Sequence, residues 1–219
     1  RLAGLYSSSN VHEQYGLDSL SNERYTDISR GVYTDWMAQP SRIGLSHDHS
    51  VRVSGGSQGT RYELFGRFGN VEGVMKDDFR KRYGLGFTLE HYAPHGFSFT
   101  NRTNFSYNDI QQTPYGSFSN YARMNPYDRI RDSYGEYLTV LSWNQNNPLY
   151  EASLGSYDRS SNQSLSNDFD VRWNINDQFR MTTHWNLRLN NNYQEIFTSP
   201  LSGSYRDETD LSRKGSMSQ

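Results

Sequence analysis

The sequence predicts an all-β fold: an antiparallel, up-and-down segment of a transmembrane β-barrel, with about six strands and one long loop. Three observations predict it. Apolar residues alternate with polar ones over runs of eight to twelve residues. The connections between these runs are alternately short and long. The chain is polar overall yet rich in rings: 33% of its 219 residues are hydrophobic, while aromatics reach 15%, with 17 Tyr, 11 Phe and 4 Trp. Disordered chains are poor in aromatics, so this composition belongs to a folded chain whose apolar surface sits in large side chains.

Each run shows period two. In 47–54, His49, Val51 and Val53 oppose Ser50, Arg52 and Ser54, and Gly55, Gly56 and Gly59 mark a tight turn. In 60–69, Tyr62, Leu64, Gly66 and Phe68 oppose Arg61, Glu63 and Arg67, with Phe65 breaking the alternation. Residues 70–81 read as a polar loop. In 82–91, Tyr83, Leu85, Phe87 and Leu89 oppose Arg82, Thr88 and Glu90, and Ala93-Pro94-His95-Gly96 makes the next turn. In 97–108, Phe97, Phe99, Phe105 and Tyr107 oppose Ser98, Thr100, Arg102, Asn104, Ser106 and Asn108. After an irregular stretch, 109–166, Phe169, Val171, Trp173 and Ile175 oppose Asp168, Asp170, Arg172 and Asn174 in 167–175. Asn176 and Asp177 turn the chain into 179–190, where Phe179, Met181, Trp185, Leu187 and Leu189 oppose Arg180, His184, Asn186, Arg188 and Asn190. Runs of ten to twelve residues match the roughly 9–11 that cross a bilayer at a tilt. The rings suit the girdles of a membrane barrel, in which case the apolar set meets lipid. The competing reading is a soluble sandwich with the same rings in its core.

The remaining segments lack such periodicity. Residues 1–46 read as a loop, marked by Ser7, Ser8, Ser9, Asn10 and Pro40, and 191–219 as a loop or the start of a further strand. The organisation expected is therefore a loop over 1–46, barrel strands over 47–108, a long extracellular loop over 109–166, a barrel hairpin over 167–190, and a final loop over 191–219. No apolar run reaches the roughly 18 residues of a transmembrane helix, which leaves a barrel open. The net charge of −2 gives no basic excess for nucleic acid, and the absence of cysteine removes disulfide and Cys-based metal or redox motifs. Arg1 is neither an initiator Met nor the start of a signal peptide, so the chain reads as processed or partial.

Several residue groups invite chemistry. His47 and His49 form an H-x-H on one strand face, a spacing at which two imidazoles could share a metal, but no third ligand is evident in the sequence, so no metal is expected. Asp77 with Asp78, and Asp168 with Asp170, have the residue type of glycosidase acid pairs; the first pair reads as solvated loop charge and the second as part of a charged strand face. Gly84-Leu85-Gly86 lies within a strand, not before a helix, and reads as relief for close packing. No catalytic residue, cofactor or enzyme activity is expected. The loop aromatics Tyr115, Phe118, Tyr121, Tyr127, Tyr134, Tyr137, Trp143, Tyr150 and Tyr157 could stack on sugars or meet a partner, or simply pack a long loop on itself.

Five segments carry a family resemblance: Tyr33-Thr34-Asp35-Trp36-Met37; His47-Asp48-His49-Ser50-Val51-Arg52-Val53-Ser54-Gly55-Gly56-Ser57; Asn70-Val71-Glu72-Gly73-Val74-Met75-Lys76; Tyr121-Ala122-Arg123-Met124-Asn125-Pro126-Tyr127 with Tyr134-Gly135-Glu136-Tyr137; and Asn147-Pro148-Leu149-Tyr150-Glu151. In this order and spacing, over about residues 33 to 200, they resemble the early barrel of SusC/RagA-type TonB-dependent outer-membrane transporters. Asp48 and Arg52 stand where that family usually has Asn and Ser. The resemblance implies a place in the cell outer membrane and import of large nutrients such as oligosaccharides or peptides. The partners implied are a SusD-like surface lipoprotein as lid, TonB acting through a plug region outside this chain, and outer-membrane lipid. It also implies roughly 22 strands in the whole barrel, of which this chain would supply strands two to seven, beginning in the first extracellular loop. The alternative function is a soluble cell-surface all-β carbohydrate-binding module.

Overall fold

The computed structural model describes residues 8–141 and 145–218. Its main feature is an antiparallel sheet of seven strands in the order β1-β2-β3-β4-β7-β8-β9. The strands are β1 (Ser46–Ser57), β2 (Thr60–Glu72), β3 (Phe79–Ala93), β4 (Phe97–Gln111), β7 (Tyr157–Asn174), β8 (Arg180–Thr198) and the short β9 (Ser216–Ser218). A second sheet pairs only β5 (Val140–Leu141) with β6 (Gln145–Asn146). The sheet is open, with β1 and β9 at its edges. Three α-helices occur among the described residues: α1 (Val11–Ser29), α2 (Phe118–Ala122) and α3 (Pro148–Ser153).

The six long strands pair in chain order, as expected of an up-and-down meander, and each takes in nearly all of one alternating run. The turns at one end are tight. Gln58 and Gly59 (φ 85°) close the first hairpin. His95 (φ 64°) and Gly96 (φ 72°) close the second, both in the left-handed region that suits the twist of hairpin strands. In the third, Asn176 Oδ1 accepts from the backbone N–H of Gln178 and Phe179, an Asx-turn that returns the chain from β7 into β8. The hairpin expected over 167–190 is present, with no helix in it. The connections at the other strand ends are longer: 73–78, 112–156 and 199–215.

Three expectations need correction. The strands run further than the alternation does. β7 begins at Tyr157, inside what read as loop, and β8 runs on to Thr198. In these added rows both faces are mostly polar, so no two-sided hydrophobic signal marks them. Pairing is carried by backbone bonds and by side-chain rungs such as Asn162–Asn192, Ser164–Asn190 and Asp158–Gln194. The loop over 1–46 holds the 19-residue helix α1. Asn10 caps it, its side chain accepting from the N–H of His12 and Glu13. Its single buried residue is Asp27, paired with Arg129, while Arg24 lies 3.5 Å from Asp128. A helix docked through ions leaves no apolar stripe to read. The short β5 and β6 also fell outside the reading, while β9 lies in 191–219, which read as a loop or the start of a further strand. Ser7 and Trp143 lie outside the described residues.

The described chain divides into two compact units. The sheet, from Ile43–Thr113 and Tyr157–Phe197, is one. The other gathers the non-periodic segments 8–42, 114–156 and 198–216. This second unit has a small core of its own, built on Trp36, Tyr121, Leu141 and Leu149. Thr34 and Trp36 bond the backbone of 126–128 and 125, so the first and fourth family-like segments lie against each other. Asn147, fully buried, donates from Nδ2 to the carbonyls of Ile130 and Leu138 and accepts from the N–H of Leu149. The Glu151 carboxylate accepts from the Ser202 hydroxyl and the Gly203 N–H, both at 2.7 Å.

Candidate functional site: the two faces of the sheet

Because strand residues alternate in direction and paired residues share a face, the register assigns every strand side chain to one of two surfaces. One surface is mainly apolar, and the polar side chains within it, Asn101, Thr103 and Asn167, hydrogen-bond to one another. Reading across β2, β3, β4, β7 and β8, its middle rows are Leu64–Phe87–Thr103–Asn167–Leu187 and Gly66–Leu85–Phe105–Leu165–Leu189. Aromatic rows bracket this middle. Towards the tight turns, Phe99 meets Phe169 at 5.9 Å between ring centroids, and Phe169 stacks on Trp185 at 5.6 Å. Towards the longer connections, Phe68, Tyr83 and Tyr107 form a ladder with centroids 5.1 and 5.9 Å apart. The surface is uncovered: Val51 is 65% exposed, Leu85 61% and Trp185 62%. Large apolar side chains exposed in such continuity mark a surface that meets something apolar.

The other surface is a lattice of charge and amide. Arg67 forks onto Asp48, Arg52 lies 3.5 Å from Glu63, and Asp170 takes Arg102 at 3.1 Å and His184 at 2.6 Å. Asn186 donates to Asp168. Isolated exposed ion pairs contribute little each, about 0–1 kcal/mol. Their value here is positional: every charged residue named has a cross-strand partner of opposite sign or an amide. Phe65, the residue that breaks the alternation, sits on this polar surface. The Arg52 guanidinium lies 5.3 Å from its ring centroid, and its side chain packs beside Gly86, where an added Cβ would stand 3.6 Å from Phe65 Cβ and 3.1 Å from Asn104 Oδ1. Gly86 is thus close-packed, in line with the reading of Gly84-Leu85-Gly86.

The remaining candidates distribute as follows. Asp77 (φ 60°) and Asp78 lie in the connection between β2 and β3, which Gly73 closes by donating to the Asp78 carbonyl. Asp168 and Asp170 share the polar surface but are each engaged by different cross-strand donors. His47 and His49 share the apolar surface, with ring centroids 5.1 Å apart. Of the loop aromatics, Tyr121 is core, and burial pushes its phenol well above the usual tyrosine range, with Tyr115 adding to the shift. Tyr137 stacks under Arg131 at 3.8 Å. Tyr157 is a strand residue whose hydroxyl donates to Glu195 at 2.6 Å. Tyr134 is 91% exposed. Tyr115 lines a hollow of about 530 Å³ with Arg123, Asn146 and Glu151. That hollow was not legible in the sequence, because its walls come from three separate loop segments. No helix among the described residues is long and apolar enough to cross a membrane, which says nothing of strands.

No protein-family model matches the chain, and comparison with characterised proteins gives no match.

Proposed function

We propose that the sheet is part of the wall of an outer-membrane β-barrel, in a TonB-dependent transporter of the SusC/RagA type that imports large nutrients such as oligosaccharides or peptides. The observation that carries the barrel reading is the uncovered, mainly apolar surface with an aromatic row on either side of a Leu- and Phe-rich middle. From Phe97 to Tyr107 that surface spans ten residue steps, about 34 Å along the strand. At the roughly 40° tilt of barrel strands this is about 26 Å of height, against an apolar band of about 25 Å. Supporting it are the alternation of tight turns with longer connections and the open edges at β1 and β9, which further strands of a barrel would pair.

In this reading the apolar surface meets lipid and the ionic lattice lines the lumen. The tight turns face the periplasm, and the longer connections face the outside. The five ordered segments extend the reading from barrel to transporter, and with it to a SusD-like lipoprotein and to TonB as partners. The chain supplies wall and external loop rather than catalysis: Asp168→Asn and Asp170→Asn should remove no hydrolytic activity. A soluble carbohydrate-binding module would instead need a second sheet on the apolar surface, and the second sheet among the described residues has two strands of two residues each.

The test uses single cysteines in the full reading frame, expressed in outer membranes. Residues 85, 87, 171 and 185 should be shielded from a membrane-impermeant thiol reagent and quenched by a lipid-phase spin label, while 102, 104, 172 and 188 should show the reverse. Equal aqueous labelling of both sets would remove the membrane reading.

A further inference from the structure

We propose that His47 and His49, together with Asn70 on the neighbouring strand, bind a transition-metal dication of the Zn²⁺, Ni²⁺ or Cu²⁺ class. The inference needs only the β1–β2 pair and does not rest on the transport reading.

The two histidines are separated by one residue in β1, so their rings stand on the same surface. Asp48, between them, points the other way and is held by Arg67. The ring centroids are 5.1 Å apart, with the planes tilted by 46°. A metal about 2.1 Å from a ring nitrogen lies roughly 3.2 Å from the ring centroid, so two rings ligating at a tetrahedral angle have centroids about 5.2 Å apart. The observed separation leaves room for one metal between the rings, though Phe68 and Tyr83 stand equally close as an ordinary ring contact.

The third donor is visible only in the register. Asn70 lies directly across from His47. Its Oδ1 and the Nδ1 of His47 are both buried, and neither has a hydrogen-bond partner among the described residues. Buried polar atoms are nearly always partnered. The amide oxygen is an acceptor, and a neutral imidazole has one lone-pair nitrogen. With Nδ1 as the unprotonated nitrogen of His47, two lone pairs on facing residues and a second imidazole beside them suit a shared cation and not an anion. Lys81, across from Asn70 on β3, has its ammonium 4.9 Å from the Phe79 ring centroid, and Asp109 follows it in the same row on β4. Imidazole donors select borderline metals over Mg²⁺ or Ca²⁺. His49 is the more exposed of the two rings.

The experiment titrates the full chain, in mild detergent and metal-free buffer at pH 7.5, with Cu²⁺ and separately with Zn²⁺ by calorimetry. The expected result is one equivalent bound. Affinity should fall at least tenfold in His47→Thr and in His49→Val, and severalfold in Asn70→Leu, while His12→Ala and His95→Asn bind as wild type. The two strand-favouring substitutions preserve the β1–β2 pair, which matching circular dichroism would verify. Electron paramagnetic resonance of the Cu²⁺ form should display two coupled imidazole nitrogens. Wild-type affinity in both His47→Thr and His49→Val would overturn the proposal, as would an equal loss in His12→Ala and His95→Asn.

Discussion

The indole Nε1 of Trp36 donates to the backbone carbonyl of Asn125 at 2.8 Å, across 89 residues of chain, and Trp36 is almost completely buried. Tryptophan combines a large apolar area with one donor that must be satisfied when buried. Trp36→Phe should lose mainly the hydrogen bond, about 1 kcal/mol. Trp36→Ala should lose about 3–5 kcal/mol. Limited proteolysis of the full chain would read both, with faster cleavage in 8–42 and 114–156 and unchanged resistance in the sheet strands.

Asn147 is the second anchor of the same unit. Replacing it by Ala strands the carbonyl of Leu138 and the N–H of Leu149, while the carbonyl of Ile130 keeps the N–H of Leu138. Leaving buried groups unpaired costs about 1–3 kcal/mol apiece. Asn147→Asp is expected to be as harmful, since a carboxylate cannot donate to the two carbonyls. Hydrogen exchange at Leu149 should accelerate in both variants. Protection there equal to wild type would contradict this role.

Tyr121 provides a pH dependence. Its phenol is buried, its hydroxyl has no partner among the described residues, and burial raises its ionisation above the ordinary value near 10. The unfolded chain would therefore release this proton at lower pH than the folded chain. Stability from this group is full below about pH 10 and falls as the pH rises beyond it, with a limiting slope of about 1.4 kcal/mol per unit. Tyr121→Phe should remove that alkaline loss and leave stability at pH 7 equal or slightly higher. Tyrosinate absorbance at 295 nm, followed during alkaline unfolding of both proteins, checks it.

The surface proposed to meet lipid can be tested energetically as well as by labelling. Phe87→Arg should destabilise the assembled barrel by roughly 2–4 kcal/mol, whereas Thr88→Arg, one residue along and on the opposite surface, should be tolerated. Urea-dependent folding into lipid bilayers of the full reading frame would read the difference. Equal costs at the two positions would argue against opposite environments.

The sequence by itself determined the six long strands, their meander, their tight turns and which residues share a surface. It could do so because a strand with one apolar face writes a period-two signal that needs no knowledge of its neighbours. Phe65 interrupts that signal for a reason visible only across strands, since Arg52 and Gly86 are its companions. Where both sides of a strand are polar, as in 157–164 and 190–198, the period vanishes, and only pairing with the partner strand reveals the element. The helix α1 escaped for a related reason: its inward contacts are Asp27 and Arg24 to Arg129 and Asp128, and ions held from a hundred residues away leave no local pattern. The tertiary structure alone brought Asn70 beside His47, Asn125 under Trp36 and Glu151 to Gly203. These are contacts between segments distant in sequence, so they are properties of register and packing that no stretch of the chain encodes in its own spacing.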